Sequence, residues 1–246
     1  MKKTILCAFA LLSLNASAAT RNMIIEQKDG NKITVDVETI KQISYAYELD
    51  GGVSMTGEKG SISYVDLGLS VNWACYNLNA SSPEDKGQYR SWGEKQGGKS
   101  TFTKDTYNKG LGDVVLDDKG YLTGDSDPYQ KMNGDGWRMP TRDDFKELFS
   151  KTTIEFVADF NGTGVAGFLF TSKKNQNTLF LPFGWPKDDE PNADNNYDEY
   201  YGAYWTADNC YSFVIAQLGT DNMIYDFDYM KDSEYQGMML RGVFNK

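Results

Sequence analysis

Apolar residues in this chain recur mostly at the two-residue period of half-buried strands, with helical spacing confined to short stretches near its middle. Past residue 22, Met-Ile-Ile-Glu-Gln and Lys-Ile-Thr-Val-Asp-Val flank Lys28-Asp29-Gly30-Asn31, which predicts two strands around an Asp-Gly turn. Ile33, Val35 and Val37 then share one face, one helical turn fits between Glu38 and Ile43, and a strand resumes at Ser44. Residues 19–49 are therefore expected to form a small N-terminal β module, too short to bury a core of its own. Gly51, Gly52, Gly57 and Gly60, set among polar residues, predict a Gly-rich linker over 50–61, with the main domain running from 62 to 246.

Within that domain, Asp127 followed by Pro128 reads as an N-cap and first-turn proline, opening a short helix that ends near Asn133-Gly134. Thr141 with Asp144 three residues on is a capping pair, and Phe145, Leu148 and Phe149 put an apolar stripe on the helix that follows. Strand-like runs come after it at 165–172, 178–183, 203–207, 211–218, 223–227 and 237–244. Between the second and third runs lies 184–202, an irregular stretch of acids and tyrosines, and loops of that length in compact domains usually carry function. The expected class is α+β, mostly antiparallel strands with one or two short helices.

Composition and the chain's start narrow the function. Lys2 and Lys3, the apolar run 5–14 and Ala16-Ser17-Ala18 have the form of a secretory signal peptide over residues 1–18, cleaved before Ala19. Cys7 lies inside the apolar run and follows Leu6, which argues against a lipoprotein. The expected location is exported: periplasm, outer-membrane surface or secreted. No later segment approaches the run of about 20 apolar residues that crosses a bilayer, so no transmembrane segment is expected. Removing Lys2 and Lys3 from the 25 basic residues leaves 23 against 35 acidic, a net of −12, and such a chain does not seek nucleic acid. The absence of histidine removes the commonest general base, the commonest metal ligand and every Ser-His or Cys-His pair, so no catalytic residue is assigned and no enzyme is expected. Past the leader two cysteines remain, Cys75 and Cys210. A disulfide between them is the simplest reading, worth about 4–5 kcal/mol for so long a loop, and two buried thiols are the alternative.

Seven ordered blocks carry a resemblance. They are Tyr64-Val-Asp-Leu-Gly-Leu-Ser-Val-Asn-Trp-Ala74, Ser82-Pro-Glu-Asp85, Trp92-Gly-Glu94, Gly136-Trp-Arg-Met-Pro-Thr141, Thr178-Leu-Phe-Leu-Pro182, Tyr204-Trp-Thr206 and Leu240-Arg-Gly-Val243. Together, from 62 to the last residue, they resemble the Fibrobacter-type major paralogous domain family. That resemblance implies a C-type-lectin-like fold related to the formylglycine-generating enzymes, and an exported protein, but little chemistry. The enzymes related by that fold use a close cysteine pair to bind copper. Here Cys75 and Cys210 fall in distant blocks, which leaves a copper-dependent oxidase the least favoured reading. Trp137 and Trp205 read as core, and Arg138 as a holder of carbonyls or a carboxylate.

Two candidate sites share the stretch 184–209. C-type lectins place a Glu-Pro-Asn and a Trp-Asn-Asp in similar order, and here Glu190-Pro191-Asn192 precedes Trp205-Thr-Ala-Asp208-Asn209. Glu190, Asn192 and Asp208 are thus candidate calcium ligands, hard oxygen donors that sugar hydroxyls could complete. Without a metal or any other cofactor, Trp185, Tyr197, Tyr200, Tyr201 and Trp205, with Tyr204 beside them, offer flat apolar faces with polar edges suited to sugar or protein contact. The expected function is non-catalytic binding of a glycan or surface protein through the loop face 184–209. A structural or adhesin subunit of a surface assembly is the alternative.

Overall fold

The computed structural model describes residues 22–26, 31–39, 47–49, 52–107, 113–134, 136–193, 200–218 and 222–246. The chain divides into two units, Met1–Tyr45 and Ala46–Lys246. In the first, β1 (Asn22–Glu26) and β2 (Lys32–Asp36) pair antiparallel with Ile25 opposite Ile33, and a 3-10 turn follows at Val37–Thr39. The expected hairpin is present, and the 3-10 turn overlaps the start of the helical turn expected over 38–43, whose residues 40–43 lie outside the described residues. The Asp29-Gly30 turn, the leader 1–18 and residues 44–46 lie outside the described residues.

The second unit begins with two hairpins, β3 (Tyr47–Leu49) with β4 (Val53–Met55), then β5 (Gly57–Lys59) with β6 (Ile62–Val65). This corrects the expected linker over 50–61. Its glycines serve turns: Gly60, at φ +64, sits between β5 and β6 where a side chain would be strained. Val53 is fully buried in a cluster with Phe160 and Phe180, whose rings stack at 3.8 Å, and Ser54 shares hydrogen bonds with Thr178.

β7 (Val71–Asn77) lies in a five-stranded sheet of order β5-β6-β7-β15-β8, beside the C-terminal strand β15 (Arg241–Asn245), with β8 (Trp137–Arg138) at the far edge. Two three-stranded sheets complete the unit. One has β9 (Thr152–Val157), β10 (Gly167–Ser172) and β11 (Thr178–Pro182) in the order β11-β10-β9. The other runs β12 (Tyr201–Trp205), β13 (Tyr211–Leu218), β14 (Asn222–Tyr229). Every described pairing of these strands is antiparallel. The class is α+β and rich in strand, as expected.

Both helices stand where their caps predict. Asp127 accepts from the backbone N–H of Tyr129 and Gln130 to open α1 (Pro128–Asn133). Thr141 and Asp144 form a reciprocal capping box at the start of α2 (Arg142–Lys151). The stripe of α2 is buried, with Phe145 stacked on Phe213 at 4.1 Å and tilted against Trp73. Arg138 holds Asp144 through both guanidinium nitrogens.

Alternation along the strands builds two cores on opposite faces of one wall. Trp73, Cys75, Tyr204 and Val243 enter one cluster, while their neighbours Ala74, Trp205 and Phe244 enter the other, because successive strand side chains point to opposite faces. Arg241, fully buried, fastens that wall by donating to the carbonyls of Ala74 and Phe180.

Candidate functional site

Trp185 lies three residues past the end of β11 and is fixed by backbone rather than by loop chance. The N–H of Ala203 donates to the carbonyl of Gly184, and a parallel bridge joins Gly184 to Gly202. Gly184 permits this close approach, since a Cβ there would meet the Tyr89 hydroxyl at 2.5 Å and the Met239 sulfur at 2.7 Å. The result sets the Trp185 and Tyr201 rings parallel, with centroids 5.2 Å apart and planes 6° from coplanar. Tyr200 stands edge-on to Phe156 at 5.1 Å, and Phe156 lies over Phe183. Trp185, Tyr200, Tyr201, Phe183 and Lys86, with the β9–β10 turn at 164–166, line an open cleft of about 220 Å³.

One lysine lines the cleft and a second lies near the first. Lys86 lines it, and crowding by protein followed by the nearby Lys187 ammonium holds Lys86 below the ordinary lysine range. Lys187 exchanges backbone hydrogen bonds with Gly237, and its ammonium rests 4.4 Å from the centroid of the Tyr89 ring. A half-buried indole and phenol with the Lys86 ammonium beside them can stack on an apolar ring face and meet polar substituents around it.

The structure brings together Trp185, Tyr200 and Tyr201 of the expected binding residues. Tyr197 lies outside the described residues. Trp205, read both as core and as a binding residue, is a correction to the binding set only: it is fully buried, and its indole N–H donates to the Arg90 carbonyl at 2.8 Å, so it packs the core. Tyr204 is likewise buried. Its hydroxyl donates to the Pro182 carbonyl and is pushed up to about 12 by burial.

The calcium ligands are a second correction. Asp208 is buried with both carboxylate oxygens committed to Arg142: the backbone N–H at 2.7 Å and Nε at 3.2 Å. It caps the first turn of α2. Glu190 instead accepts from the backbone N–H of Lys104 at 2.6 Å, while Asp188 and Asp189 take Tyr235, Gln236 and the N–H of Phe102. The acids of 188–190 thus hold neighbouring loops in place. Asn192 is exposed in a turn, and among the described residues no group of three or more acidic, cysteine or histidine side chains could hold a metal ion.

The disulfide is a third correction. Cys75 points into one core and Cys210 into the other, on opposite faces of the strand wall, and they are not joined. The Cys75 thiol donates to the Ser54 carbonyl and is pushed up to about 12 by burial, against the pull of Arg241. That separation also removes the close cysteine pair the copper-oxidase reading requires.

Sequence reasoning missed Lys86 and Phe183, which reach the cleft from just past the Ser82-Pro-Glu-Asp85 and Thr178-Leu-Phe-Leu-Pro182 blocks. Their spacing from Trp185 and Tyr201 carries no periodic signal, because the contacts are made by tertiary packing. No protein-family model, curated protein or solved structure matches the chain.

Proposed function

We propose that this chain is an exported, non-catalytic binding protein with a C-type-lectin-like fold of the major paralogous domain type, and that it recognises a glycan or another protein through the Trp185–Tyr200–Tyr201 cleft. The observation that carries this reading is the parallel Trp185–Tyr201 pair at the mouth of an open cleft. Four of the five tryptophans are buried, whereas Trp185 keeps part of its indole in contact with solvent. Rigid rings with few rotamers bind at low entropic cost, and stacking contributes about 0.5–1.5 kcal/mol per pair beyond area burial. The pairing of β7 with the C-terminal β15, with two helices between them in sequence, is compatible with the lectin-like fold. No helix among the described residues is long and apolar enough to cross a membrane.

The test is a glycan array and an envelope-protein capture run in parallel with residues 19–246, with and without chelator, beside Trp185→Ala. Binding by the parent chain that the chelator leaves intact and Trp185→Ala abolishes supports the reading. Equal binding by both proteins sends the ligand elsewhere on the surface. The assembly-subunit reading has its own observation: β14 ends its sheet and exposes Met223, Ile224, Tyr225 and Tyr229. Concentration-dependent association in sedimentation experiments, lost on Ile224→Lys, favours that role.

A further inference from the structure

In a chain that is acidic overall, Lys86 lines the binding cleft and the Lys187 ammonium lies near it. The protein carries 35 acidic against 25 basic residues, and some of its lysines pair with acids: Lys99 with Glu94, Lys146 with Asp143, Lys246 with Asp66. Lys86 and Lys187 have no carboxylate within ion-pair distance among the described residues. They also sit close enough for the Lys187 ammonium to disfavour the charged form of Lys86, after burial. Lys187 is held over the Tyr89 ring, and the Tyr89 hydroxyl abuts Gly184, the residue before Trp185. Aromatic wall and ammonium pair are therefore built into one place by the same backbone.

We propose that the cleft takes a carboxylated sugar, a uronic-acid residue of an acidic glycan, with the sugar ring against the Trp185–Tyr201 wall and its carboxylate between the Lys86 and Lys187 ammonium groups. The inference rests on the binding reading above and adds the ligand's chemical class. A sugar ring supplies the C–H face that an indole stacks on, and its carboxylate supplies the charge that both ammonium groups lack. An acidic peptide offers the charge without the flat saturated ring, so a glycan is the better fit.

Calorimetric titration of the purified chain tests this with three probes: an oligogalacturonate, a neutral galacto-oligosaccharide of equal length, and an oligoglutamate peptide. The oligogalacturonate is expected to bind most tightly, to weaken as salt rises, and to lose about tenfold in affinity for Lys86→Gln or Lys187→Gln. Trp185→Ala is expected to reduce binding of both sugars, and melting curves of the two lysine variants are expected to match the parent. Equal affinity for both sugars, untouched by either lysine variant, overturns the charge inference while the glycan reading stands. Tighter binding of oligoglutamate overturns the carbohydrate class, and the absence of binding to any probe overturns this inference while the array and capture experiment judges the binding reading independently.

Discussion

Replacing Asp208 with alanine separates two accounts of one carboxylate. As a helix-capping group, it accepts the backbone N–H of Arg142 at 2.7 Å while 6 % exposed, a charge-assisted bond worth about 1.5–3 kcal/mol. Its negative charge at the start of α2 adds about 0.3–1 kcal/mol through the helix dipole. The side-chain pair with Arg142 adds little, because that guanidinium is 36 % exposed and also lies over the Tyr211 ring at 4.0 Å. The sum is roughly 2–4 kcal/mol, or a fall in Tm of roughly 5–15 °C for a unit of this size. Asp208→Asn keeps an acceptor for the N–H and should lose about half as much. Differential scanning calorimetry with calcium and with chelator is the assay. Asp208→Ala should melt lower by that amount, and calcium should shift neither protein. A calcium-dependent rise in the parent that Asp208→Ala abolishes would refute the capping account and restore the metal site.

Three further outcomes follow from the packing. Asp127 is buried and pushed up to about 6 by desolvation, despite accepting from the N–H groups of Met139, Gln130 and Tyr129. Its folded pKa thus exceeds the unfolded value, so its contribution is fullest below about pH 4 and is lost as pH rises through about 6, worth on the order of 3 kcal/mol. Urea unfolding should show the parent losing that much relative to Asp127→Asn across this window, and a difference that stays flat with pH contradicts it. The Cys75 thiol should resist iodoacetamide in the folded chain and react after denaturation, and intact mass should lack the loss of hydrogen that a Cys75–Cys210 disulfide brings. Phe145→Ala, which removes the ring stacked on Phe213, should cost about 3–5 kcal/mol in denaturant unfolding, and a cost near 1 kcal/mol would place that ring outside the core.

Local chemistry was readable and long-range placement was not. The Thr141–Asp144 box, the Asp127-Pro128 start and the strands from β10 onward depend on near neighbours, and all overlap the expected positions, with β12 starting two residues earlier and β15 four residues later than the pattern puts them. β9 was missed because it begins at the residue after α2, with no turn signal between them. Trp205 was placed on the ligand face although its strand is buried on both sides, and alternation alone does not separate two cores from a core and a surface. Glu190 and Asp208 resembled metal ligands because capping and coordination draw on the same oxygen donors. The Trp185–Tyr201 pairing depends on one backbone bond between Gly184 and Ala203, a tertiary contact with no signature in spacing.

The aromatic cleft is the central claim, and Trp185 is its natural reporter. Trp73, Trp92, Trp137 and Trp205 are buried, so acrylamide quenching of tryptophan fluorescence reads mainly Trp185. With the best-binding glycan or protein ligand added, quenching should fall in the parent chain, and Trp185→Phe should show low quenching that ligand does not change. Saturating ligand that leaves the parent's quenching curve unaltered would contradict the placement of the binding site.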